Sequence, residues 1–202
     1  VIEEEKMKKA KEAAGGEPLL KLIPIQKKNV GIVTTGNEVY YGRIQDTFTP
    51  VVKEKIEEFG SAVTMECLVG DEKEKIRDAI LDMIEKGAQM VVCTGGMSVD
   101  PDDRTPGAIA DTGARVVTYG APVLPGAMLM VAYYKKKDGS EIPVLGLPGC
   151  VMYAKRTIFD LVLPRLLADD PITREEIAQL GVGGLCLNCP VCSFPNCGFG
   201  KA

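Results

Sequence analysis

Residues 30–38 read VGIVTTGNE. Val30–Thr34 form a continuous uncharged run of the kind a strand shows when both of its faces are covered. The run ends in a glycine-bearing turn, Thr34-Thr35-Gly36-Asn37-Glu38. Beyond it Phe48, Val51, Val52, Ile56 and Phe59 recur at helical spacing, and Gly60 closes the helix. Strand, glycine turn, helix is one unit of a wound α/β sheet, and the rest of the chain asks only whether the unit repeats.

It does. Val63, Met65 and Cys67 alternate with Ala62, Thr64 and Glu66, as in a half-buried strand. Asp71 and Glu74 have the spacing of a capping box before Ile76, Ala79, Ile80, Met83 and Ile84, and Gly87 ends that helix. Met90–Cys93 is a second short buried strand, leading into Thr94-Gly95-Gly96. Thr105-Pro106 fits an N-cap followed by proline at the first helical position. Arg115–Thr118 reads as a strand, Ala127–Tyr134 as a helix, and Ile142–Leu145 as a strand after the turn Lys135–Gly139. Gly146-Leu147-Pro148-Gly149 then opens a long apolar helix to about Leu163, kinked or ended by Pro164. The expected fold is α/β in three layers, a mostly parallel sheet flanked by helices.

Upstream, residues 1–14 read as a charged helix stopped by Gly15–Gly16, and 17–28 as a connection. We assign 1–28 to a helix and linker from a preceding module, 29–168 to the α/β domain, and 169–202 to a helix and a cysteine-rich tail. A chain that opens on Val1 is expected to be a fragment or a processed product, so its N-terminus carries no information on targeting.

Composition narrows the chemistry. The 202 residues carry 28 acidic and 24 basic side chains, a net charge of −4, which does not supply the clustered positive charge of a nucleic-acid surface. No apolar run is long enough to span a bilayer, and a cytoplasmic location is expected. There is no histidine, which excludes an imidazole base and His-ligated metals within this chain. Acid–base and metal chemistry fall to carboxylates, lysines, cysteines and backbone.

Three glycine turns each follow an expected strand: Thr34–Glu38, Thr94-Gly95-Gly96-Met97-Ser98, and Gly146–Gly149. Any one is what a strand-to-helix turn uses anyway. In a parallel α/β sheet, however, such loops converge on the edge where ligands bind. Glycine lets backbone N–H groups approach an anion, and Thr35, Thr94 and Ser98 add hydroxyl donors. Carboxylates gather at the same edge: Glu38, Asp46, and Asp100, Asp102 and Asp103. They would repel a phosphate unless a divalent cation such as Mg²⁺ bridges the two. Asp46 and Asp103 are equally at home as helix caps or turn formers, and for Asp100 and Asp102 the turn role is favoured.

Four stretches in this order, Thr35–Glu38, Gly42-Arg43-Ile44-Gln45-Asp46-Thr47, Thr94–Asp103 and Gly146–Gly149, resemble the molybdopterin-binding domain family. That family includes molybdopterin adenylyltransferases, the molybdenumtransferases that insert the metal, and gephyrin. The resemblance covers about residues 29–167. It implies that molybdopterin, or its adenylylated form, is bound with Mg²⁺, a pterin phosphate being cradled by Thr35, Gly36, Glu38, Thr94, Gly95, Gly96, Ser98, Pro148 and Gly149. Asp46 and Asp103 are implied as the catalytic pair and, with Glu38, as Mg²⁺ ligands. The implied reaction is adenylyl transfer or molybdenum insertion, with ATP or molybdate as co-substrate and a homo-oligomer as the expected assembly. Asp103-Arg104-Thr105-Pro106 looks like the adenylyltransferase version and Met97-Ser98-Val99 like the other. Asn37 stands where the molybdenumtransferases carry Asp, and Cys150-Val151 replaces Asn-Pro. These departures leave ligand binding as the firmer expectation. A carrier or sensor without turnover is a second reading. Hydrolysis of a nucleotide diphosphate, as in competence-damage-inducible proteins with a similar TGG…DD-x-T pattern, is a third.

Seven cysteines complete the picture. Cys67, Cys93 and Cys150 read as core thiols, although Cys150 at an expected helix start could be a favoured thiolate. Cys186-x₂-Cys189-x₂-Cys192-x₄-Cys197 lies in a segment with no hydrophobic period. Such a cluster suits tetrahedral sulfur ligation, as zinc or as a [4Fe–4S] cluster whose ferredoxin run it approaches. A zinc staple is slightly preferred, because the tail otherwise lacks a reason to fold. A protein partner could also dock there.

Overall fold

The computed structural model describes residues 1–15 and 20–201. Gly16 and the first residues of the expected connection lie outside them. A charged helix, α1 (Glu4–Ala13), buries no residue. The first strand is β1 (Asn29–Thr35). A short α2 (Asn37–Tyr40), then α3 (Phe48–Glu57), β2 (Ala62–Val69), α4 (Lys73–Glu85), β3 (Met90–Thr94), α5 (Thr105–Asp111) and β4 (Arg115–Tyr119) follow. The chain finishes with β5 (Met130–Lys135), β6 (Glu141–Leu147), a 3₁₀ turn at Gly149–Met152, α6 (Ile158–Leu167), α7 (Arg174–Gln179) and the cysteine tail.

One six-stranded sheet orders these strands 2-1-3-6-5-4. Strands β2, β1, β3 and β6 are parallel. β5 and β4 extend the sheet antiparallel. Alternating side chains feed two cores. Val30, Ile32, Met90, Val92, Leu145 and Leu147 face α3 and α6. Val33, Val91, Cys93 and Val144 face α4 and α5. A pleated strand sends neighbours to opposite faces, so near-continuous apolar runs are what two covered faces require.

Four local expectations are overturned. Ala127–Tyr134 is not a helix: residues from Met130 onward form β5 between β4 and β6, sending Val131 and Tyr133 into one core and Met130 and Ala132 into the other. A short apolar run does not announce its period, and pairing on both edges decides it. The long helix after Gly149 is broken into the 3₁₀ turn and α6. Thr157 restarts the helix with a capping box: its hydroxyl accepts from Phe159 N–H at 3.2 Å, and Asp160 accepts from Thr157 N–H at 2.8 Å. Pro164 sits inside α6. The expected box at Asp71 does not form, since Glu72 occupies the cap with no side-chain bond. Asp71 instead accepts from Asn37 N–H at 3.0 Å, while Asn37 Oδ1 accepts from Asp71 N–H at 3.3 Å. Finally, Arg104 rather than Thr105 occupies the cap of α5.

Candidate functional site

The parallel strands β1, β3 and β6 end side by side, with Thr34 beside Thr94 and Thr94 beside Leu147. Their following loops therefore meet. The loop after β3 and the turn after β6 enclose a hollow of about 330 Å³ lined by Gly95, Gly96, Ser98, Asp103, Pro148 and Gly149.

Gly95 and Gly96 have φ of 85° and 53°, the left-handed region that side chains disfavour. A Cβ on Gly95 would stand 2.3 Å from the Thr35 carbonyl oxygen, so only glycine lets the loops after β1 and β3 touch. Thr35 Oγ1 and Thr105 Oγ1 are hydrogen-bonded at 3.1 Å, tying the first loop to the start of α5. Met97 is buried under the loop, against Gly146, where a Cβ would meet its sulfur at 2.5 Å. Asp103 closes the loop by accepting from Ser98 N–H at 2.6 Å. Tyr119, at the end of β4, donates to the Ser98 carbonyl at 2.9 Å. Burial first, and then the neighbouring Asp103 carboxylate, push the Tyr119 phenol up, keeping it a donor.

Thr94 Oγ1 is fully buried and, among the described residues, is the buried side-chain oxygen or nitrogen without a hydrogen-bond partner. Buried polar atoms are nearly always paired, but Thr94, like Thr35, is not among the residues that line the hollow.

Not every expected residue reaches the hollow. Asp46 lies one loop away and is committed to capping α3: Oδ1 accepts from Phe48 N–H at 2.8 Å and Thr49 N–H at 3.0 Å. Its Oδ2 accepts from Thr34 Oγ1 at 3.4 Å, beside Thr94. Glu38 is exposed on α2, and neither it nor Gly36 lines the hollow. Among the described residues no three Cys, Asp or Glu groups gather around a single point suited to an ion. Sequence reasoning missed Tyr119 and Met128. Met128 also lines the hollow, and it carried no signal while its segment read as a helix. The Asn37–Asp71 pair explains one departure: an aspartate at 37 would set two carboxylates against each other.

Cys150 lies in the 3₁₀ turn, half-buried, and burial pushes its thiol up, against the thiolate expectation. A second groove runs from Pro148 and Met128 past Cys150 to Leu185 and Cys186. The cysteine tail thus abuts the candidate site. It is docked on the domain by a bridge in which Leu124 N–H donates to Gly184 O at 2.6 Å and Cys186 N–H to Leu124 O at 2.8 Å. Phe199 is buried in the main core.

A wound α/β sheet with glycine loops at its strand ends is an architecture in which small ligands commonly bind beyond the strand C-termini. Residues 31–168 match the family model described as "Probable molybdopterin binding domain", and the chain belongs to that family. Solved structures share the fold. The tungsten cofactor synthesizing protein MoaB of Pyrococcus furiosus superposes with a TM-score of 0.58 at 18% identity, covering 73% of this chain and 99% of that one. The molybdopterin biosynthesis enzyme MoaB of Thermus thermophilus gives 0.53 at 21%, covering 71% and 98%. Curated relatives from Bacillus cereus strain AH187 and Bacillus anthracis, which carry the name competence-damage inducible protein, are 30% identical over 113 residues. That stretch is 56% of this chain and 26% of theirs, so the chain spans about a quarter of the relatives it matches. No helix among the described residues is long and apolar enough to cross a membrane.

Proposed function

We propose that this chain binds molybdopterin or its adenylylated form at the Gly95–Ser98 loop, with Mg²⁺ between the phosphate and Asp103, as a step in molybdenum cofactor biosynthesis. The observation that carries the reading is the pair of left-handed glycines, Gly95 and Gly96, lining one hollow together with Ser98 and Asp103. Phosphate oxygens would take N–H groups of the loop together with the Ser98 hydroxyl. Mg²⁺ is commonly held by one or two carboxylates plus substrate phosphates, so a single close carboxylate is enough. Asp46 reaches Thr34 from the first loop, beside Thr94, whereas Glu38 stays exposed on α2 outside the hollow. Pro148 and Gly149 form the opposite wall. Adenylyl transfer from ATP, or molybdenum insertion, is the reaction this arrangement would serve, in a homo-oligomer.

The test is calorimetric titration of molybdopterin with and without Mg²⁺, wild type against Asp103→Ala. Binding that weakens at least tenfold in the variant, with the Mg²⁺ dependence lost, is expected. Absence of binding by the wild type overturns the reading, and equal binding removes Asp103 from the site. The similarity to competence-damage inducible proteins, together with Asp102-Asp103-Arg104-Thr105, favours a second reading, cleavage of a nucleotide diphosphate at the same cradle. Release of AMP from ADP-ribose, with no affinity for molybdopterin, would select it.

A further inference from the structure

All four tail cysteines line one hollow. Cys186, Cys189, Cys192 and Cys197 surround about 100 Å³, where roughly 10–15 Å³ admits one water. Its remaining wall is aromatic and cationic: Phe194 and Phe199, 6.4 Å apart, with Lys155 and Arg156. Arg156 stacks on Phe194 at 4.9 Å and is aimed by Asp160 at 2.9 Å. Cys186 and Cys197 are half-buried against the main core, whereas Cys189 and Cys192 face outward.

Four sulfurs around one zinc ion stand about 2.3 Å from it, hence within about 4 Å of one another, and leave no room between them. Here the four cysteines line an opening of about 100 Å³. The sequence spacing agrees. Zinc ligands typically come as separated pairs, whereas three consecutive thiols at C-x₂-C-x₂-C wrap a polynuclear centre. The apolar rings exclude water from such a centre, and Lys155 and Arg156 offset the charge of four thiolates.

Cys186 belongs to two spaces at once. It lines the four-thiol hollow and also the groove that leads past Cys150 to Pro148 and Met128, which border the glycine-loop cradle. We propose that the four tail cysteines hold an iron–sulfur cluster rather than a single zinc ion, in a seat that opens through Cys186 onto the ligand groove. The cluster itself stands on the tail geometry; its contact with a bound ligand rests on the function proposed above.

The full chain, purified without oxygen or reconstituted with ferrous iron and sulfide, is to be assayed for iron, acid-labile sulfide and zinc, and its reduced form examined by electron paramagnetic resonance. Iron and sulfide in equal amounts, near ~4 each per chain, are expected. Cys189→Ser and Cys192→Ser alter outward-facing residues and should lose most of the iron with circular dichroism unchanged. Cys67→Ser, on a distant strand, should keep it. One zinc per chain without sulfide overturns the proposal, as does full iron loading in both tail variants. Molybdopterin added to the loaded protein should shift the resonance of the reduced cluster. A pterin that binds by calorimetry yet leaves the resonance unmoved overturns the shared groove. Cluster loading without any pterin binding overturns the proposed function and leaves the cluster standing.

Discussion

The glycine-loop edge rests on four parallel strands, whereas the cysteine tail rests on a two-bond bridge to Leu124 and on one buried ring, Phe199. Both gather functional groups from short segments rich in glycine. At the edge, the sheet has already fixed where β1, β3 and β6 end, and the loops need only turn tightly. In the tail no secondary structure sets positions, so a bound centre would supply the rigidity that hydrogen-bond ladders supply elsewhere. One is preorganised from below, and the other would be organised by what it is proposed to hold. The two regions meet at Arg156, which is held by Asp160 of α6 and covers Phe194 of the tail.

That meeting point gives the largest expected effect. Asp160 is buried, caps α6, and accepts from Lys55 at 2.7 Å as well as from Arg156. Asp160→Ala removes the buried carboxylate shared by Lys55 and Arg156, leaving Arg156 only Glu58 at 3.5 Å, and should cost about 3–5 kcal/mol in chemical denaturation. A loss below about 1 kcal/mol would mean that the pair is solvated and not a hinge between the regions. Phe199→Ala comes next and separates them. Removing a buried ring costs up to about 3–5 kcal/mol, but the loosely attached tail can yield alone. Limited proteolysis should therefore cut residues 184–201 much faster while the melting of the α/β body barely moves. Coupled loss of both would dissolve the distinction.

Gly95→Ala tests the edge. The left-handed φ and the collision with Thr35 predict a cost of about 1–3 kcal/mol and loss of the proposed molybdopterin affinity, with the iron loading proposed for the tail unchanged. Unchanged affinity would show that the close approach of the two loops is not needed. The smallest effect is one of pH. Burial raises the Cys150 thiol above its ordinary value of about 8.5, so the thiolate fraction, and with it alkylation, should still be climbing beyond that pH. Peptide mapping after iodoacetamide treatment of metal-free protein reads this directly: the exposed Cys189 and Cys192 should react first, and a Cys150 rate that levels off below pH 8 would contradict the burial.

Much of the edge was legible in the chain alone because its signals are local. VGIVT followed by TG, MVVCT followed by GG, and the GLPG turn each state a strand and its chain reversal within ten residues. Parallel winding then forces those reversals onto one side. The β5 segment was misread because its apolar run was too short to reveal a period, and only pairing with β4 and β6 made it a strand. Asp46 and Asp103 looked alike in sequence, yet packing sent one carboxylate to the amides of α3 and left the other in the hollow. Tyr119 and Met128 gave no signal at all, since their role depends on where strands of distant sequence come to lie.

The amino-acid order thus determined the family, the alternating architecture, the three glycine turns and the presence of a four-thiol run, because backbone conformation and hydrophobic period depend on neighbours a few residues apart. Which side chains face a common space, that the four tail cysteines line one hollow, and that the tail lies beside the candidate site were decided only by the folded chain. Those properties depend on sheet register and on contacts between residues far apart in sequence, such as Leu124 with Leu185, which no local pattern encodes.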